Sequence, residues 1–254
     1  MVYIKEKAKP RWTIKLMKVY RQFCGWDTLL DLIGMVRVGL KGWNGETLIH
    51  DEVEENEGRA LIATTFETGA RIQEALQMRV RDFRFEEDRV YAIFNIVKRY
   101  RKERRVIKYR ATDGTKLRWD TEEEAKASGH PYEPYEGYTT RKEIEIRNIA
   151  FPRREPLVPI MEKWIKFVSE TKGENAYLFN INYNKAYRII RRAGEEMGQE
   201  WTPHRLRAER ATQLAIEYEF SDHELTEWFA WRNPAVAHDY TTLAPKIIEK
   251  MFKP

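Results

Sequence analysis

The chain has 254 residues, with 45 Lys and Arg against 40 Asp and Glu and a formal charge of +5, so it is long enough for one large domain or one domain with a small appendage and only mildly basic, which admits a nucleic-acid partner without requiring one. A single cysteine, Cys24, excludes an internal disulfide framework and fits a reducing, cytoplasmic setting. No apolar run approaches the roughly 18 residues of a membrane span, and no signal-peptide core opens the chain, so no membrane association is expected.

In chain order, the spacing predicts a helix near 12–23, where Trp12, Ile14, Leu16, Met17 and Tyr20 lie among basic residues, and a second near 27–38. The Gly-containing stretch Gly39 to Gly45 reads as a linker. An acidic run, Asp51–Glu57, suits the start of the next helix, because anions are favoured at a helix N-terminus. A further helix, Ile72–Met78, follows Gly69. Alternating apolar residues at Val90, Ala92, Phe94 and Ile96 predict a strand, and Val106–Tyr109 and Ile144–Ile149 predict two more. Between the last two lies a polar insertion, about 111–140, with Asp113-Gly114 and Pro131/Pro134 as turn signals. From 156 onward the pattern is helical, at 157–170, 183–198, 203–219, 221–231 and 242–252. No internal repeat or low-complexity tract interrupts it.

Charge is distributed unevenly along this plan. Residues 1–50 hold nine bases against four acids, and residues 51–97 six against eleven. The stretch 98–110 holds eight bases and one acid, Glu103. Such a block reads either as a solvated hairpin or as a strand pair that follows a phosphate backbone, since clustered Lys and Arg displace counterions from DNA.

Three motifs carry chemistry. The first is Thr68-Gly69-Ala70-Arg71-Ile72-Gln73-Glu74, in which Glu74 falls one turn after Arg71 on the same helical face. The second is Thr202-Pro203-His204-Arg205-Leu206-Arg207, where Thr202 is a candidate N-cap, Pro203 a first helical residue, and His204 and Arg207 share a face. The third is Trp231-Arg232-Asn233-Pro234-Ala235-Val236-Ala237-His238-Asp239-Tyr240, with a tyrosine nine positions after a tryptophan. In this order and spacing the three resemble the active site of the tyrosine recombinase (phage integrase) family, over roughly residues 46–254. The character is similar to that of integrases from archaeal viruses and plasmids.

The resemblance implies an α+β fold: a mostly helical tyrosine-recombinase catalytic domain with a small antiparallel β-sheet at 46–254, preceded by a short basic helical N-terminal arm at 1–45, either a reduced core-binding region or the end of a longer one. It implies a site-specific recombinase or integrase that cuts and rejoins double-stranded DNA through a 3′-phosphotyrosyl bond, with no metal, ATP or other cofactor, as a dimer or tetramer on DNA. Tyr240 would be the nucleophile. Arg71 and Arg207 would fork onto phosphate oxygens, as planar, permanently charged guanidiniums can, with His204 donating to another. Glu74 would buttress the site. Trp231 stands where the family most often carries histidine; an indole N–H can donate but cannot transfer a proton at neutral pH.

The family protonates the leaving 5′-oxygen with a lysine on a β-hairpin. Lys98 is the first choice here, with Lys102 and Lys142 as alternatives, and Arg99, Arg101, Lys102, Arg104 and Arg105 are the expected DNA contacts. The sequence departs from the family in lacking histidine directly after Arg207, though Ala211-Thr212 restores the match, and in having only about 45 residues where a core-binding domain of about a hundred is usual. The segment 241–254 fits docking on a neighbouring subunit or on its own domain. Two other readings are a type IB topoisomerase-like enzyme and a catalytically inactive DNA-binding protein. Metal chemistry is not expected, because His223 and His238 lack a ligand constellation, and His238-Asp239 reads as a coincidental pair.

Overall fold

A computed structural model describes residues 23–241, with the backbone alone described at 97–102 and 140–143. The expected helices at 12–23 and 242–252 therefore lie outside the described residues or almost wholly so. The chain divides into two compact units, one of residues up to Phe94 together with those from Arg147 onward, the other Asn95–Ile146.

The first unit is largely helical. Helix α1 (Trp26–Gly34) buries Leu29, Leu32 and Ile33, the three- and four-residue spacing of one helical face. Helix α2 (Glu52–Thr68) starts at Asp51, whose side chain accepts from the Glu54 N–H at 2.8 Å, with Glu52, Glu54 and Glu55 in its first turn. Its second half is buried on all sides, from Ala60 to Thr68, and packs against α5 (Val158–Lys172) and α7 (Pro203–Ile216). Helix α2 ends at Gly69 in a left-handed conformation (φ 57°), and a Cβ there would lie 2.4 Å from Phe229 Cε1. Only glycine meets both demands.

The helix expected at Ile72–Met78 is shorter. Helix α3 spans Ile72–Ala75 alone, because the following backbone is taken up elsewhere: Leu178 donates to the Met78 carbonyl at 2.9 Å, and Arg79 bridges Tyr177. A single turn carries little dipole, so it adds little positive potential beside Arg71.

Strand β1 (Phe83–Phe85) pairs antiparallel with β2 (Arg89–Ala111), Phe83 opposite Ala92 and Phe85 opposite Val90. Val90, Ala92, Phe94 and Ile96 are buried, as their alternation predicts. The strands expected at 90–96 and 106–109 are one strand, since no glycine or proline interrupts residues 89–111. The 111–140 insertion holds a turn at Gly114 (φ 86°), the two-residue β3 (Arg118–Trp119) paired to Tyr109 and Arg110, and α4 (Glu122–Ala127), capped by Thr121. The return strand β4 (Tyr132–Pro152) pairs with β2 and is far longer than the 144–149 expected.

Within β4 the core face is Arg147, Ile149 and Phe151, while Ile144 and Ile146 are exposed. The apolar residues thus change register, and an arginine occupies an inward position. Helices α6 (Tyr183–Glu196), α7, α8 (Asp222–Phe229) and α9 (Ala235–Thr241) complete the first unit. Among the described residues no helix is long and apolar enough to cross a membrane.

Candidate active site

The first motif closes α2 and turns back through Arg71. The Arg71 N–H donates to Glu74 Oε2 at 2.8 Å and its Nη1 pairs with Glu74 Oε1 at 2.7 Å. Glu74 is buried while half of the Arg71 side chain stays exposed. The carboxylate therefore fixes the guanidinium from behind and leaves its outer edge for a ligand.

Helix α7 presents the second motif. Thr202 Oγ1 accepts from the Arg205 N–H at 3.1 Å, and Pro203 opens the helix, as the sequence indicated. His204 keeps an exposed edge, while Arg207 is buried. Arg207 Nη1 donates to the Gly69 carbonyl and Nη2 to the Phe229 carbonyl at 2.7 Å. One guanidinium thus ties the C-terminal ends of α2 and α8 together, where helix carbonyls carry partial negative charge. Withdrawal from water, followed by the nearby Arg71 cation, lowers the Arg207 pKa to about 10, which leaves it charged at neutral pH. Desolvation, with Arg207 and Arg71 adding to it, also lowers that of His204, so its ring is neutral at pH 7 and can donate one hydrogen bond.

The third motif follows α8. Ala230 takes a left-handed conformation (φ 47°), which ends the helix two residues earlier than expected and lets the Trp231 N–H reach the Thr226 carbonyl at 3.0 Å. Trp231 is thereby stacked between two rings, 4.6 Å from Phe229 and 5.3 Å from Tyr240, with interplanar angles of 15° and 11°. Tyr240 is 5% exposed. It lies on α9, a helix absent from the sequence reading although Asn233-Pro234 announces it: Asn233 Oδ1 accepts from the Ala235 N–H at 3.1 Å. Asp222 holds α9 in place by accepting from Thr241 Oγ1 and lying 3.0 Å from His238 Nδ1. Those contacts keep the Asp222 carboxyl below its usual range, the Thr241 hydroxyl contributing most. His238 therefore pairs with Asp222, and its sequence neighbour Asp239 is not the residue that engages it.

Arg71, His204 and Arg207 share the wall of a cavity of about 450 Å³ with Gln73 and two stacked tyrosines, Tyr183 and Tyr187. Arg207 lies 6.0 Å from the Trp231 ring centroid, which links the cavity to the Trp231–Tyr240 stack. Sequence reasoning missed Tyr183, Tyr187, Asp222 and Arg147. The side chains of Lys98, Arg99, Arg101, Lys102 and Lys142 lie outside the described residues. Arg104 and Arg105 are exposed on β2, and the Arg104 N–H donates to Thr139 Oγ1 at 3.2 Å.

With this geometry in view, residues 136–246 match the phage integrase family. The fold is that of a tyrosine recombinase catalytic domain. It is similar to the XerH site-specific recombinase bound to difH substrate in a pre-cleavage complex (TM-score 0.52, 14% identity, 91% of this chain and 52% of that one). It is also similar to XerH bound to palindromic difH substrate in a post-cleavage complex (TM-score 0.55, 14% identity, 91% and 52%). A third likeness is to the XerA recombinase (TM-score 0.50, 15% identity, 91% and 62%). The chain thus spans about half the length of the XerH structures it resembles. No curated protein matches it in sequence.

Proposed function

We propose that the chain is a tyrosine-type site-specific DNA recombinase or integrase. The observation that carries this reading is the convergence of Arg71, His204 and Arg207 on one cavity, with Arg207 against the Trp231–Tyr240 stack. A phosphodiester under attack concentrates charge on its non-bridging oxygens, and fixed donors around it lower that barrier. Arg71 offers an exposed guanidinium edge already oriented by Glu74, and the neutral His204 ring offers an N–H.

In the reaction, Tyr240 Oη attacks the scissile phosphorus and its proton leaves to solvent or a neighbouring base. The bond to the 5′-oxygen breaks, giving a 3′-phosphotyrosyl link, and a lysine protonates the leaving oxygen. A second 5′-hydroxyl then attacks the same phosphorus, releases the tyrosine and reseals the strand, so no cofactor is consumed. Lys98 is the preferred acid, ahead of Lys102 and Lys142, and Arg99, Arg101, Lys102, Arg104 and Arg105 contact the DNA backbone. Trp231 packs Tyr240 and donates through its indole N–H. Double-stranded DNA is the partner, bound by a dimer or tetramer, with residues 1–45 serving as a basic arm ahead of a catalytic domain at 46–254.

The test is covalent trapping. The protein and its Tyr240→Phe variant are incubated with mixed genomic and plasmid DNA in EDTA and quenched with SDS. A protease-sensitive adduct that requires Tyr240 is expected. Tight binding with no adduct would overturn the reading in favour of a DNA-binding protein.

A further inference from the structure

Arg147 belongs to none of the three motifs, yet it stands among them. Its position on β4 is an inward one, in register with Ile149 and Phe151, where the packing alone would accept an aliphatic side chain. It is only 4% exposed. Its Nη2 donates to the Thr68 carbonyl at 2.7 Å, directly before the Gly69 carbonyl held by Arg207. Its guanidinium lies 5.2 Å from the Phe94 ring centroid and 5.5 Å from that of Phe229, the ring that Arg207 also approaches at 4.7 Å. Nε and Nη1 are buried without a hydrogen-bond partner.

A buried arginine costs several kcal/mol to desolvate unless a carboxylate or another anion meets it. Among the described residues none pairs with Arg147. Glu74, the acid whose charge it feels, is engaged with Arg71. Arg71, Arg147 and Arg207 thus face one carboxylate, and positive charge is left over in a dry setting. Burial, then the Arg207 charge, pull the Arg147 pKa well below the usual arginine range, the mark of a cation held without compensation.

We propose that Arg147 is a positioning residue of the phosphate site: it holds the Thr68–Arg71 turn, and its buried charge is balanced when a phosphate enters beside Arg71 and Arg207. This rests on the recombinase reading for the identity of the phosphate as DNA, though not for the presence of an anion site.

The experiment measures the affinity of the whole chain for inorganic phosphate, read as phosphate-dependent thermal stabilisation, in wild type, R147K, R147Q and R147M. Charge, not hydrogen bonding alone, sets the expected order. R147K keeps phosphate affinity within about threefold, whereas R147Q, which can still donate to the Thr68 carbonyl, and R147M lose about tenfold or more, one such step being about 1.4 kcal/mol. A wild-type affinity in R147Q would overturn the proposal and assign Arg147 a structural role. So would the absence of any phosphate effect in wild type, or failure of both neutral variants to fold while R147K folds. Phosphate affinity that depends on Arg147, in a chain that forms no Tyr240 adduct, would keep this proposal and sink the recombinase reading. A Tyr240 adduct with phosphate affinity indifferent to position 147 would do the reverse.

Discussion

Arg207 and Arg210 lie one turn apart on α7, and both are withdrawn from water, but they meet different partners. Arg210 is fully buried against the Glu155 carboxylate: Nη1 lies 2.9 and 2.8 Å from its two oxygens, 2.6 Å from Gln213 Oε1 and 3.4 Å from Oε2 of the Glu67 carboxyl. Tyr218 closes the group by donating to Glu155 at 2.7 Å. Among the described residues Arg207 donates to the carbonyl oxygens of Gly69 and Phe229 and lies against the faces of Phe229 and Trp231. One guanidinium has its charge answered inside the protein; on the proposed reading the other keeps it for an incoming phosphate. Burial alone does not separate these two arginines; the Glu155 carboxylate matched to Arg210 does.

The contrast can be broken from either side. Glu155→Ala leaves Arg210 buried with little to balance it, so a loss of about 3–5 kcal/mol in unfolding free energy is expected by urea titration. Cleavage per folded molecule should not change, and a slower reaction at full stability would place this cluster in the chemistry. Arg207→Lys keeps the charge and loses the fork that spans two carbonyls. A fall of about 10²–10³-fold in single-turnover adduct formation is expected, the cost of one preorganised donor. Retention of the wild-type rate would make Arg207 a second structural arginine.

A smaller effect sharpens the structural half. Burial, and then its contact with Glu155, push the Glu67 carboxyl well above the usual carboxylate range, so the folded chain keeps a proton that the unfolded chain releases. Stability from this group is complete below the ordinary Glu value of about 4.3 and declines as the pH rises towards the folded one. Glu67→Gln should flatten the fall of melting temperature between about pH 5 and pH 8, a span that starts above that ordinary value. A slope equal to that of wild type would contradict the protonated Glu67.

These charges also show where the sequence was readable. The acidic helix start at Asp51–Glu57, the Thr202 cap, the first-turn Pro203, and the alternation at Val90, Ala92, Phe94 and Ile96 all reflect local rules, and each element forms near its expected place. Local rules fail where a distant partner decides. The chain after Ala75 leaves its helix to pair with 176–178. Ile144–Ile149 reads as a strand, but Ile144 and Ile146 are exposed and its inner face holds Arg147. Arg147 and Arg210 were invisible as core because an arginine in a sequence is read as surface until its partners are known. Helix α9 was legible in Asn233-Pro234 but was overshadowed by Tyr240 itself.

The most direct measurement maps the covalent bond. The DNA adduct is digested with nuclease and trypsin, and the nucleotide-bearing peptide is sequenced by mass spectrometry. The account predicts the remnant on Tyr240, in a peptide that also contains His238 and Asp239. A remnant on Tyr183, Tyr187 or any serine would contradict it, because the Trp231–Tyr240 stack would then be packing and the cavity beside Arg71 would serve another nucleophile.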